Sequence, residues 1–245
     1  MPIAQLVIAM LVAGTVSGIT GFGVGIVGSI ALAILVGPKQ AIILVSIVSS
    51  FAATMQVLKY RAGLPQVGRL TSLLAAAFVG AIGGSFVLVL LPYSALAILL
   101  GVFTLLYVTA SFAGFRPAVT PGAEKVLSPT VGLLAGLVNS SVGSSGPVLG
   151  PYLLALGLEQ GVFVVCLSVI FLVMGIVRIV TLAALQQYTG PVVGAGVGLF
   201  VPTIAGQLAG FWLAARIPKH VFERLILALL AIAATYLVVR GLQAV

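Results

Sequence analysis

Two clusters of glycine, serine and threonine interrupt long apolar stretches at corresponding places in the two halves of the chain. The first cluster lies in residues 18–28 and the second in residues 139–150. At membrane depth such residues leave backbone N–H and C=O groups outside regular helical bonding, and lipid offers those groups no partner. The two breaks are therefore expected to line a cavity inside the protein. In transporters, paired breaks of this kind point to the substrate site.

The chemistry expected at both breaks is the binding of a small anion. After each break a second apolar arm begins with free backbone N–H groups and the positive end of a helix dipole. Pro147 suits the first helical position of the second arm, and Ser144 or Ser145 can cap that arm or donate to a ligand. In the first break, glycines let the backbone approach an oxyanion closely. The alternative is that the small residues only allow tight helix packing. The predicted substrate-binding residues are Thr20, Gly21, Phe22, Gly23, Gly25, Asn139, Ser140, Ser144, Ser145, Gly146 and Arg178.

Arg178 is a charged residue inside an apolar stretch, and two interpretations of it stay open. An ionisable residue within a membrane is a functional candidate, but a long side chain near an interface can also extend to the surface. The three carboxylates, at positions 124, 159 and 223, lie in or beside loops. No embedded acid is therefore expected to relay protons or bind sodium. The single cysteine, Cys166, has no ligand set nearby, so neither a metal nor a cofactor is expected.

Composition predicts an all-α polytopic membrane protein with a single membrane domain. Of the 245 residues, 62% are hydrophobic and only 6% are charged, which leaves no soluble core-and-surface pattern. The net charge of +8 comes from lysines and arginines that lie mostly at the ends of apolar stretches, where they set orientation in the lipid bilayer. No basic patch or stripe predicts binding to nucleic acid.

The chain divides into two repeats of four apolar blocks each. An N-terminal repeat, 1–113, is joined by a polar linker, 114–127, to a C-terminal repeat, 128–245. Each half carries a broken first block, and a glycine-rich third block ends in a Leu-Pro or Ile-Pro pair. The shared order of these marks indicates internal duplication. The expected blocks are 3–36, 40–58, 70–91, 94–113, 128–157, 161–185, 191–215 and 221–240.

Charge placement predicts that the two repeats are inverted. The loop after the second block holds Lys59, Arg61 and Arg69, whereas its counterpart at 186–190 holds no charge. By the positive-inside rule these equivalent loops lie on opposite sides of the membrane. Each half then crosses an odd number of times, so a broken or re-entrant first block is followed by three spanning helices. The alternative is a parallel arrangement of eight spans.

The fifth block gives this expectation a length test. Its two arms are expected at 129–138 and 147–156, about ten residues or roughly 15 Å each, which reaches only the middle of a bilayer.

Three glycine pairs with four-residue spacing predict close helix packing, within one protomer or between the protomers of a homodimer. These pairs are Gly80 with Gly84, Gly206 with Gly210, and Gly194 with Gly198.

Residues 143–146 also fit the GxSG pattern of an intramembrane serine protease. Such an enzyme needs a histidine base within hydrogen-bond reach of its serine. The only histidine, His220, is expected at a membrane surface, beside Pro218 and Lys219. We therefore expect no enzymatic activity.

The order of motifs along both halves resembles the TauE/SafE family of sulfite and organosulfonate exporters. The motifs are Gly21-Phe22-Gly23-Val24-Gly25, Gly37-Pro38, Lys59-Tyr60-Arg61-Ala62-Gly63 and the glycine-rich third block ending in Leu91-Pro92. The second half departs from the family pattern at residues 143–147, where serines replace glycines, and it lacks the usual basic residues after the sixth block. The resemblance implies secondary transport of a small sulfur-containing or carboxylate anion, outward across a prokaryotic inner membrane. Uptake of the same anions and a passive anion channel are the alternatives.

Overall fold

The structure is a computed structural model that describes residues 3–21, 23–113, 119–214, 216 and 219–243. Within these ranges the chain is helical and has no strand, which confirms the predicted fold class. A π-helical turn, Val24–Gly28, precedes the second helix, and a 3-10 segment, Arg61–Leu70, precedes the fourth. The α-helices are α1 (Ile3–Thr20), α2 (Ser29–Val36), α3 (Pro38–Lys59), α4 (Thr71–Leu90), α5 (Tyr93–Ala113), α6 (Pro121–Val142), α7 (Gly146–Ala155), α8 (Gln160–Ala184), α9 (Gly190–Leu213) and α10 (Lys219–Gln243).

Six helical segments in the described part of the chain are long and apolar enough to cross a membrane. Each contains at least 18 residues, the length that spans roughly 27 Å of hydrocarbon at 1.5 Å per residue. The segments are Ile3–Thr20, Pro38–Lys59, Arg61–Leu90, Tyr93–Ala110, Gly161–Ala184 and Gly190–Leu213.

The first break turns the chain back along α1. Gly21 ends α1 with a φ of +87°, a left-handed conformation that glycine adopts without strain. A Cβ added at Gly23 would lie 2.6 Å from the backbone nitrogen of Ser17, and one added at Gly28 would lie 3.4 Å from the Met10 sulfur. The π-helical turn therefore runs antiparallel to α1.

The second break is built in the same way, but its first arm is longer than expected. Gly143, with a φ of +91°, ends α6. The Ser128 and Tyr152 hydroxyls hydrogen-bond at 2.6 Å, so α7 returns beside α6. However, α6 has 22 residues and α7 has 10. The prediction of two equal arms was wrong because Pro129, taken as the start of the first arm, lies inside α6.

Helix α6 begins within the stretch that the sequence suggested as a linker. The Thr120 side chain accepts a hydrogen bond from the Ala123 backbone N–H at 3.4 Å, and Pro121 occupies the first helical turn. Both residues are typical of helix starts. Residues 121–127 are therefore helical.

Glycines hold the two halves together through matching contacts, with α1 packed on α9 and α6 packed on α4. A Cβ added at any of four glycines would lie only 2.1 or 2.2 Å from a backbone carbonyl oxygen of the facing helix. The predicted close packing of the pairs at 80/84 and 206/210 is confirmed. The facing residues are Thr203 for Gly14, Leu11 for Gly206, Ala77 for Gly136 and Leu133 for Gly80.

The third predicted pair, Gly194 and Gly198, has open space where side chains would be. A Cβ added at Gly194 or Gly198 would meet no atom within 4 Å. The prediction that this pair packs within one protomer was wrong, because these positions of α9 face away from the neighbouring helices. Packing between protomers remains a prediction.

The charged connection after α3 and the uncharged connection between α8 and α9 lie toward opposite ends of α3. The Arg61–Leu70 segment follows the end of α3 directly. Tyr188, in the connection between α8 and α9, hydrogen-bonds the hydroxyl of Ser46, roughly two turns from the start of α3. Helix α3 packs on α8, and α5 packs on α10, so each of these pairs joins corresponding helices of the two halves.

Candidate functional site

A cavity of about 30 Å³ lies where the two breaks meet, with room for roughly two water molecules. Both breaks and four of the long helices, α1, α3, α6 and α8, supply its walls. The breaks contribute Gly21, Gly23, Val24, Gly25, Gly143 and Ser144. The helices contribute Ser17, Ser49, Ala52, Ala53, Gln56, Asn139 and Phe171.

Glycine at position 25 allows the two breaks to touch. A Cβ there would lie 2.8 Å from the Gly143 carbonyl oxygen and 3.3 Å from the Ser144 Cβ. A second contact lies directly after the first break, because a Cβ on Gly143 would meet the hydroxyl of Ser29, the first residue of α2. The structure therefore brings Gly25 and Ser144, both predicted from the sequence as binding residues, to one cavity.

Arg178 is buried behind this cavity and is bonded to two residues of its wall. Its side chain is 1% exposed, so the interpretation of Arg178 as an interface anchor was wrong. Nη1 donates to the Asn139 carbonyl oxygen at 2.8 Å, and Nη2 donates to the Ser49 hydroxyl at 3.3 Å. Nε has no hydrogen-bond partner in the described part of the chain. The guanidinium therefore brings a positive charge to the wall.

No carboxylate in the described residues is paired with Arg178. The ion pair that these residues do form joins Arg69 to Glu124, where Arg69 Nε lies 2.8 Å from one carboxylate oxygen and 3.0 Å from the other. A buried charge without a counter-ion is costly, because the lost hydration is not replaced. Among the described residues, Arg178 therefore places a positive charge beside the cavity wall and no carboxylate neutralises it.

Two serine hydroxyls on the wall accept hydrogen bonds from their neighbours. Ser17 Oγ accepts from the Gln56 side-chain nitrogen at 2.9 Å, and Ser144 Oγ accepts from the Gly146 backbone N–H at 3.3 Å. A hydroxyl that accepts in this way keeps its own hydrogen for another acceptor. Both serines are thus available as donors toward the cavity.

The family model described as Sulfite exporter TauE/SafE matches residues 6–237. The chain belongs to the TauE/SafE family. Comparison with curated proteins and with solved structures gives no match. Membership of this transporter family and the six apolar helices make the chain a multi-pass membrane protein.

The other predicted site residues of this TauE/SafE protein have different surroundings. The Thr20 hydroxyl donates to the Val16 carbonyl oxygen at 2.9 Å, within its own helix. The hydroxyls of Ser140 and Ser145 are fully buried and have no hydrogen-bond partner in the described residues. Phe22 lies outside the described residues. Gly146 contributes the N–H that binds Ser144.

Sequence reasoning missed the contribution of α3 to the TauE/SafE cavity. Ser49 and Gln56 both lie on its wall, yet the second block was predicted as an ordinary span. A signal was available, because Gln56 is an amide inside an apolar block. Gln56 was not among the predicted binding residues. Ser17, which precedes the first break, was not among them either.

Proposed function

We propose that this TauE/SafE protein is a secondary transporter that exports small sulfur-containing anions, such as sulfite, sulfoacetate or other organosulfonates. The anion would bind in the cavity between the two breaks. The observation that carries the proposal is Arg178, which is 1% exposed, has no acidic partner among the described residues and bonds two residues of the cavity wall. The proposal assigns the chain no enzymatic reaction.

An anion in the cavity offsets the cost of burying Arg178. An unpaired buried charge destabilises a protein by several kcal/mol, and a bound counter-ion recovers part of that free energy. The hydroxyls of Ser17 and Ser144 add hydrogen bonds that are stronger to a charged acceptor than to a neutral one. Charge and donors together favour a small oxyanion over a neutral or cationic solute.

The membrane potential favours movement out of the cell. At an interior potential near −100 mV, expulsion of one negative charge releases about 2.3 kcal/mol, roughly a fiftyfold gradient at equilibrium. Export across a prokaryotic inner membrane therefore requires no coupling ion. This agrees with the sequence, in which the three carboxylates lie between the apolar blocks or at the start of one.

We also propose that the two halves are inverted repeats. The return of each broken block alongside its first arm supports an odd number of crossings per half, and so does the position of the charged and uncharged connections toward opposite ends of α3. In a Cys166→Ser background, Gln66→Cys and Thr189→Cys should react with an impermeant maleimide from opposite sides. Reaction of both from one side would support the parallel arrangement instead.

Counterflow in proteoliposomes tests the transport proposal. Vesicles loaded with sulfite should accumulate external labelled sulfite, with saturation and with competition by sulfoacetate, taurine or thiosulfate that ranks the substrates. A passive channel would instead give unitary currents in bilayers and no saturable counterflow. With a negative-inside potential imposed by valinomycin, net sulfite efflux is expected, and accumulation against that potential would indicate an uptake permease.

A further inference from the structure

Gln56 is a buried amide that joins three helices at the cavity. Its side-chain nitrogen donates to the Ser17 carbonyl oxygen at 3.1 Å and to the Ser17 hydroxyl at 2.9 Å. Its side-chain oxygen accepts from the Ser168 hydroxyl at 2.7 Å. Gln56 is 2% exposed and lies on the cavity wall. Both amide hydrogens and the amide oxygen are therefore used within the protein.

These contacts fix which way the amide points. The Ser17 backbone carbonyl can only accept, so the Gln56 nitrogen must face it. The amide oxygen then faces the Ser168 hydroxyl, whose single hydrogen is shared between that oxygen at 2.7 Å and the Val164 carbonyl oxygen at 2.6 Å. Since Ser17 Oγ receives an N–H from Gln56, the Ser17 hydroxyl hydrogen is left without a protein acceptor among the described residues. Ser17 lies on the cavity wall, so that hydrogen is free for a ligand.

We propose that Gln56 is a positioning residue that holds the Ser17 hydroxyl as a hydrogen-bond donor toward the anion, with Ser168 fixing the orientation of the amide. This inference rests on the proposed function, because it assumes that the cavity binds the transported anion. It adds a rule of specificity: this wall accepts an anionic oxygen, such as one from sulfite or a sulfonate. The ammonium group of an aminosulfonate would have to face another wall.

The test is a double-mutant cycle on full-length protein in lipid nanodiscs, titrated with sodium sulfite by calorimetry. Ser17→Ala and Gln56→Met should each weaken sulfite affinity about tenfold, the effect of losing one hydrogen bond to a charged group. Because Gln56 acts through Ser17, the double variant should lose no more than either single variant. Gln56→Glu should bind sulfite more weakly still, because its carboxylate accepts the Ser17 hydroxyl hydrogen and adds a negative charge beside the cavity.

Two buried residues serve as matched controls. Gln207 is 1% exposed and donates to the Ala52 carbonyl oxygen at 3.0 Å, and Ser85 is fully buried and bonds the Ala81 carbonyl oxygen of its own helix. Gln207→Met and Ser85→Ala should bind sulfite as the unmodified protein does. Melting temperature and gel filtration check the folding of each variant.

The outcomes separate this inference from the proposed function. If the unmodified protein binds no sulfite, both are overturned. If Arg178→Gln weakens binding while Gln56→Met and Ser17→Ala do not, or while their effects add fully in the double variant, only the inference fails. Should Gln56→Met not fold, Ser168→Ala replaces it in the cycle. That variant should bind about threefold more weakly because the amide can rotate, and unchanged affinity would overturn the inference.

Discussion

The two halves of the molecule are alike where they pack and unlike where they form the cavity. At the packing interfaces, a Cβ added at Gly80 or at Gly206 would lie the same 2.1 Å from a carbonyl oxygen of the facing helix. At the cavity, the second half supplies the cation Arg178, whereas Lys59, at the related place in the first half, stacks 3.6 Å over the Phe211 ring. Packing is therefore duplicated in the two halves, whereas the buried positive charge beside the cavity belongs to the second half.

The symmetry of packing predicts equal damage from alanine in either half. Gly80→Ala and Gly206→Ala each place a Cβ against a backbone carbonyl, so each should lower the free energy of unfolding by roughly 1–3 kcal/mol. Thermal unfolding in detergent measures the effect. Gly83→Ala and Gly198→Ala are the controls, because a Cβ at either position meets no atom within 4 Å. Clearly unequal losses of unfolding free energy for Gly80→Ala and Gly206→Ala would contradict equivalent packing in the two halves.

The asymmetry of charge predicts unequal effects from neutralising the two cations. Arg178→Gln should weaken sulfite affinity about tenfold or more, since hydrogen-bonded charge beside the cavity is lost. The sulfite affinity of Arg178→Lys should lie between that of the unmodified protein and that of Arg178→Gln, because lysine keeps the charge but lacks the planar guanidinium. Lys59→Gln should bind as the unmodified protein does. Calorimetric titration gives the affinities, and equal effects at positions 59 and 178 would contradict the assignment of the charge to the second half.

Alanine substitution of two serines in the second break should have smaller and unequal effects on sulfite affinity. Ser144 lies on the cavity wall, whereas the Ser141 hydroxyl donates to the Leu137 carbonyl oxygen of its own helix at 2.8 Å. Ser144→Ala should weaken sulfite affinity about threefold, and Ser141→Ala should leave it unchanged. Transport KM in proteoliposomes measures both. A loss confined to Ser141→Ala would contradict the placement of the anion beside Ser144.

Features with a local cause could be predicted from the sequence. The breaks at Gly21 and Gly143 follow from glycine alone, because a left-handed backbone ends a helix. The packing of Gly80 and Gly206 follows from the missing side chain and its four-residue spacing with a second glycine. The length of α6 did not follow, because Pro129 is tolerated inside that helix, whereas proline more often marks a boundary.

Contacts between distant segments could not be predicted in the same way. The partners of Arg178 come from α3 and α6, 129 and 39 residues away along the chain. Burial of the guanidinium depends on those helices, so sequence alone left two interpretations open. The bonds of Gln56 to Ser17 and Ser168 are equally long-range. The residues that flank Gln56 in the sequence therefore gave no indication of these partners.

Direct location of the anion tests the central claim, which is that the substrate lies in the cavity between the two breaks. Selenite has the shape and charge of sulfite, and its selenium can be located by anomalous scattering. A crystal structure of the full chain with selenite should show one selenium peak in the cavity, with the selenite oxygens within hydrogen-bond reach of the Ser17 and Ser144 hydroxyls. That peak should weaken in Arg178→Gln. A peak elsewhere in the protein, with the cavity unoccupied at selenite concentrations that inhibit sulfite transport, would contradict the claim.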